Sequence, residues 1–172
     1  MHDGIRAYAM ETTDPAELLE RLNRLVCALT PPEQYATLFL GVLDTRNGRL
    51  RYCTAGHPAP AIVGKSGATY LISTRSPVMG AFPQAQFACL ETVLRLDERL
   101  VLFTDGVTEA RRGTQFLGED GLLKLLVAMT KTPVDKFAKR LLDKVLKFAD
   151  GHLRDDTVIL SLERTKDTGA EK

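Results

Sequence analysis

Arg99-Leu100-Val101-Leu102-Phe103-Thr104-Asp105-Gly106 is the stretch on which the fold turns. Its apolar run shows no alternation, and a short run of that kind reads as a central strand buried on both faces. It ends on a carboxylate and a glycine. A second stretch, Asp155-Asp156-Thr157-Val158-Ile159-Leu160-Ser161-Leu162, inverts the order: two carboxylates, then an apolar strand. Carboxylates at the rims of buried strands are held on rigid supports. Two of them from neighbouring strands would offer the hard oxygen ligands that Mg²⁺ or Mn²⁺ prefers. Gly106 lets the backbone pass close to an ion or a phosphate. The blander readings stay open: Asp105-Gly106 as a turn, Asp155-Asp156 as loop charge.

Before the first of these stretches the chain reads as strands in hairpins. Ala36 to Asp44 is apolar and β-prone, Asn47-Gly48 predicts a tight primed turn, and Arg49 to Ala55 alternates and returns antiparallel. Gly56-His57-Pro58-Ala59-Pro60 breaks the ladder, since proline cannot donate to it. Short strands are expected at Ala61–Val63 and Thr69–Ser73 around a Gly64/Gly67 turn. Ser76 to Gln84 reads as a loop, Phe87 to Leu96 as a strand and Asp97-Glu98 as a turn.

Helices flank this region. Asp14 can cap a helix with Pro15 at its first position and Glu17 completing a capping-box-like pair. Leu18, Leu19, Leu22, Leu25, Val26 and Leu29 recur at helical spacing until Thr30-Pro31-Pro32. Ile5 to Met10 reads as the tail of another helix. After Gly118, leucines predict one more, and Thr132-Pro133 opens a last one, with Val134, Phe137, Leu141, Val145 and Phe148 on one face. Hairpin strands with segregated helices predict an α+β class, an antiparallel sheet or two stacked sheets covered by helices.

The 172 residues suit one domain, expected over 1–164, with a polar, disordered tail over 165–172. A hydrophobic share of 44% and a net charge of +1 exclude a broad field for nucleic acid or anionic membrane. Cys27, Cys53 and Cys89 form no CxxC pair, which argues against zinc and for reduced, mostly buried thiols. No apolar run reaches bilayer-spanning length and no signal-peptide pattern appears, so the cytoplasm is the expected compartment.

Leu102-Phe103-Thr104-Asp105-Gly106-Val107-Thr108-Glu109-Ala110 resembles the TDGVTEA signature of SpoIIE/RsbU-like phosphatases, a branch of the PPM-type metal-dependent serine/threonine phosphatases. The other motifs follow in the family's order. Thr37 to Asp44 with Gly48 to Tyr52 is similar to its hairpin, Ala55-Gly56-His57-Pro58-Ala59-Pro60 to its AGHxPP turn, and Met79-Gly80 to its LG step. Arg154-Asp155-Asp156 is similar to its closing DD motif. The resemblance runs from about Ile5 to Glu163. It implies a β-sandwich flanked by helices and two Mn²⁺ or Mg²⁺ ions held by aspartates and waters. A bridging water would attack the phosphorus of phosphoserine or phosphothreonine. Asp105 and Asp155 are implied as metal ligands, Asp156 as a further candidate, and Gly106 as the point of close backbone approach. The implied substrate is a phosphorylated STAS-type anti-anti-sigma protein in bacterial partner switching.

A family motif resembling GDVSGHG, which supplies ligands to both metals, has no counterpart here; His2-Asp3-Gly4 differs in order. Three expectations follow. The chain is a phosphoprotein phosphatase, or a catalytically impaired module that binds the same regulator, or an N-terminally incomplete fold that oligomerisation, as in a homodimer, stabilises. Other residues carry blander readings. His57 is expected to be structural in its turn, His152 a helix-end residue, Arg111-Arg112 solvated charge, and Cys53 a buried strand thiol.

Overall fold

The computed structural model describes residues 2–31, 33–71, 73 and 76–166. In chain order its elements are α1 (His2–Ala9), α2 (Pro15–Leu29), β1 (Leu38–Leu43), β2 (Arg49–Ala55), β3 (Ala61–Gly64), β4 (Gly67–Tyr70), β5 (Leu90–Val93), β6 (Arg99–Phe103), α3 (Asp105–Thr108), β7 (Arg111–Arg112), β8 (Gln115–Phe116), α4 (Gly118–Ala128), α5 (Val134–Phe148) and β9 (Ile159–Glu163). Among the described residues the strand ladders are antiparallel, and the α+β class is as expected. The chain divides into two compact units, Met1–His57 with Ile72–Val93, and Pro58–Leu71 with Leu94–Lys172.

In the first unit α1, α2 and a sheet of order β1-β2-β5 share one apolar core. Leu19 and Leu22 of α2 are fully buried among Cys53, Ala55, Met79 and Phe87. Asp14 caps α2, its Oδ1 accepting from the backbone N–H of Ala16 and Glu17. The other half of the anticipated capping box is different: the N–H of Asp14 donates to the Thr12 hydroxyl at 3.1 Å, while Glu17 pairs with Arg21 at 2.7 Å. A hydrogen bond from Arg51 holds the Asp14 carboxyl below its ordinary range. The β1–β2 turn also departs from expectation. Only Gly48 takes positive φ there, at 80°, and its N–H donates to the Asp44 carbonyl at 2.7 Å. That is a longer loop closed by a left-handed glycine rather than a two-residue primed turn.

Asn23 is buried completely, a polar side chain inside an apolar helix face. Its amide donates to the Phe82 carbonyl at 2.9 Å and its oxygen accepts from the Gly80 N–H at 2.9 Å. It therefore fastens the loop of residues 76–84 to α2. Asn23→Ala would leave both backbone groups unpaired in the interior. We expect a loss of about 2–4 kcal/mol, from the desolvation cost of two orphaned groups, read as a lowered denaturant midpoint at unchanged m-value. A loss under about 0.5 kcal/mol would mean that the loop does not depend on this residue.

The second unit is built on a sheet of order β4-β3-β6-β9, with β6 central as its unbroken apolar run predicts. Val101 and Phe103 pack with Leu122 and Leu126 of α4 and Phe137, Leu141 and Val145 of α5. Arg99, at the head of β6, is buried. Its guanidinium lies over the Phe137 ring at 4.1 Å, donates to the Thr132 carbonyl at 3.0 Å and pairs with Glu163 of β9.

Three strands are shorter or shifted against expectation. β9 begins at Ile159 rather than Thr157 and, as an outer strand of its sheet, leaves Leu160 and Leu162 exposed where a buried strand was expected. β4 spans Gly67–Tyr70 rather than Thr69–Ser73, of which Ile72 lies outside the described residues. The Gly64–Gly67 closure fixes the register, so Ala61, the first residue after Pro60 to join the ladder, meets Tyr70. β5 keeps only Leu90–Val93 of Phe87–Leu96, because its partner β2 begins at Arg49, opposite Val93. The expected tail over 165–172 lies mostly outside the described residues.

Candidate active site

All four residues singled out at the strand ends lie in the second unit. β6 and β9 are neighbours, with Phe103 opposite Ile159, so the segment leaving β6 and the segment entering β9 emerge side by side. Thr104 joins them. Its N–H donates to the Val158 carbonyl at 3.1 Å. Its hydroxyl accepts from the Val158 N–H at 2.9 Å and donates to the Asp156 carbonyl at 2.9 Å. One threonine side chain thus clasps the acidic loop to the end of the central strand.

Asp105 does not sit in a plain turn: it is the first residue of α3, a single helical turn whose next residue is Gly106. A Cβ at Gly106 would stand 2.8 Å from the Asp156 carbonyl oxygen, 2.8 Å from Thr157 Oγ1 and 3.2 Å from the Asp155 carbonyl oxygen. What crowds Gly106 in the structure is the second acidic loop, through its Asp155 and Asp156 carbonyls and the Thr157 hydroxyl. Gly106→Ala should therefore push that loop away from α3. We expect a destabilisation of about 1–3 kcal/mol, the usual cost of overpacking, measured by denaturant titration. A neutral substitution would show that residues 155–157 move freely.

The three carboxylates are exposed. One oxygen of Asp105 accepts from the Gly106 N–H at 3.0 Å, and one oxygen of Asp155 accepts from the Asp156 N–H at 2.7 Å. These bonds orient the two side chains locally and leave their second oxygens free of hydrogen bonds among the described residues. Asp156 contributes its carbonyl to the Thr104 clasp, and its carboxylate makes no hydrogen bond among the described residues.

The donor chemistry fits a hard divalent cation, and Mg²⁺ in particular is held by one or two carboxylates while keeping several waters. The number of ligands is small. No group of three or more His, Cys, Asp or Glu side chains that could hold a metal comes together among the described residues. Two carboxylates match in number what one hydrated ion of this kind takes from a protein, and two ions require ligands beyond them.

The remaining sequence candidates take other places. His152 is exposed just past α5, its N–H bonded to the Ala149 carbonyl at 3.0 Å. His57 belongs to the first unit, its ring 6.4 Å from that of Phe39. Arg112 is exposed and Arg111 partly so, and each guanidinium also lies over a ring, that of Phe148 at 5.5 Å and that of Phe116 at 5.0 Å respectively. Burial pushes the Cys53 thiol well up, away from use as the catalytic nucleophile of a hydrolase. The sequence reading missed Thr104. Its signal was present, a hydroxyl between a buried strand and a carboxylate, but the partners that give it meaning lie more than fifty positions away.

Comparison with known proteins bears on the family and the fold. The family model described as Stage II sporulation protein E (SpoIIE) matches residues 1–165. Over 134 residues the chain is 32% identical to protein IcfG of Synechocystis sp., covering 76% of this chain and 21% of that protein. Over 163 residues it is 28% identical to the phosphoserine phosphatase RsbU of Bacillus subtilis, covering 91% of this chain and 49% of that protein. The chain thus spans half or less of the length of these relatives. Among solved structures, that of the RsbU and RsbW domains of Rv1364c from Mycobacterium tuberculosis superposes with a TM-score of 0.81 at 26% identity, covering 95% of this chain and 45% of that one.

Proposed function

The chain belongs to the SpoIIE family, the SpoIIE/RsbU-like branch of PPM-type phosphatase domains, and from that premise we propose that it hydrolyses phosphoserine or phosphothreonine on a regulatory protein. The observation that carries this reading is the clasp of Asp105 to Asp155-Asp156 through Thr104 and Gly106 at the ends of neighbouring strands. The substrate is a phosphorylated STAS-type anti-anti-sigma protein, and the pathway is bacterial partner switching.

Asp105 and Asp155 would hold Mn²⁺ or Mg²⁺, with Asp156 as the further candidate. A divalent ion, when bound, supplies a water of lowered pKa and offsets charge on the transferring phosphoryl group. The chain's own residues fix the spacing. Thr104 holds the acidic loop against β6, and Gly106 sets the distance from α3 to that loop. The exposure of the carboxylates suits a phosphate carried on a protein surface, where a deep pocket would exclude it.

The test is hydrolysis of a phosphoserine peptide and of an aryl phosphate with Mn²⁺, after chelation, and after Mn²⁺ is restored. Turnover is expected with the ion, absent with chelator and recovered on restoration. A second reading, recognition of the same regulator without hydrolysis, is favoured by the short ligand set. A folded chain that binds the phosphorylated regulator but shows no turnover under any of these conditions overturns the first reading in favour of the second.

A further inference from the structure

Cys53 and Cys89 are 36 positions apart in sequence, yet their Sγ atoms lie 3.3 Å from one another. The β2–β5 register explains it: Tyr52 pairs with Leu90, which places Cys53 opposite Cys89 at the next step of the ladder. Both thiols are free. Cys53 is buried and belongs to the core of the first unit; Cys89 is partly buried and packs against that core. β5 lies at the edge of the order β1-β2-β5, where local opening is easiest. The third cysteine, Cys27, has Asn23 Oδ1 as its neighbour, 4.0 Å from its Sγ.

We propose that Cys53 and Cys89 form a redox-modification site, a dithiol that a low-molecular-weight disulfide converts to an intramolecular disulfide fastening β5 to β2. Residues directly opposite across antiparallel strands have Cβ atoms about 4.5–5.5 Å apart, near the spacing that a disulfide spans. Cys89, the more accessible, reacts first. Its thiolate attacks one sulfur of the small disulfide, whose S–S bond breaks and whose other half leaves as a thiolate and takes up a proton. Cys53 then gives its proton to solvent and attacks the Cys89 sulfur, and the second small thiol leaves. The two protein thiols lose two electrons, and one small disulfide becomes two thiols. Burial pushes the Cys53 thiol upward, so the second step is the slow one and the mixed disulfide on Cys89 builds up before it closes. Closure of so long a loop restrains the unfolded chain.

The experiment exposes the whole folded chain to excess glutathione disulfide at mildly alkaline pH, with peptide mapping by mass spectrometry over time and thermal melts with and without reductant. The expected sequence is a transient adduct on Cys89, then a Cys53–Cys89 linked peptide. The oxidised form should melt roughly 10 °C higher and return to the starting value with reductant. Cys53→Ala should hold the adduct on Cys89 permanently, Cys89→Ala should give neither adduct at Cys53 nor link, and Cys27→Ala should behave as the parent. A link that never forms in the folded protein, forms only in urea, or joins Cys27 overturns the proposal. The time course on the parent chain decides this even if Cys53→Ala does not fold.

Discussion

Asp105→Asn should remove Mn²⁺-dependent phosphate hydrolysis by at least about 100-fold, because the loss of groups that merely support a ligand already costs about 10–100-fold. The fold should be indifferent. Asp105 is exposed, and the bond it accepts from the Gly106 N–H can be kept by an asparagine oxygen. The melting temperature should therefore stay within about 2 °C, as expected of a surface substitution worth less than 0.5 kcal/mol. Parallel assays on Asp155→Asn and Asp156→Asn separate the two neighbours. The one that matches Asp105→Asn is the ligand, and the one that retains most activity serves through its backbone. Full activity in Asp105→Asn would remove the central carboxylate from the proposed chemistry.

Phe137→Ala should have the largest effect on stability. Phe137 is fully buried in the core of the second unit, among Val101, Phe103, Leu122, Leu126 and Leu141. Truncating a buried phenylalanine costs about 3–5 kcal/mol through lost transfer energy and the cavity left behind. Here the ring also forms the floor under the Arg99 guanidinium at 4.1 Å. Removing it leaves a buried cation facing a void, which places the expected loss at the upper end of that range. In a chain of this size that lowers the melting temperature by roughly 10 °C or more. Phe116→Ala is the control: Phe116 is exposed on β8 and should cost little. If the two substitutions destabilise equally, the assignment of the core is wrong.

The elements that were legible in the sequence are those whose signal is local. β6 was visible as an unbroken apolar run bounded by Asp97-Glu98 and Asp105-Gly106, and α2 by its cap, its proline and its leucine spacing. The two acidic strand ends were legible for the same reason. What the sequence hid was register and long-range satisfaction. Asn23 looks like an interruption in an apolar stripe until its two loop partners are in place. Arg99 is a charge at the head of a buried strand with no local reason to be there until Phe137 and Glu163 arrive to cover it. The ends of β4 and β5 depended on where their partners began, which no window along the chain contains. α3 and the β7–β8 pair were missed because one turn and two two-residue strands are too short to show a period.

The central position of β6 has a consequence for biosynthesis. A strand in the middle of a sheet needs a neighbour on each side, and β6 has β3 on one side and β9 on the other. β3 leaves the ribosome first, whereas β9 follows only after α4 and α5 have been made. Through that interval Leu100 to Phe103 present an unpaired apolar edge, the kind of surface that recruits foreign strands. The same late segment carries Asp155-Asp156 and the partners of Thr104. The nascent chain therefore gains its acidic centre and loses its stickiest edge in one event, and a ribosome that stalls between α4 and β9 would hold out a chain with neither advantage.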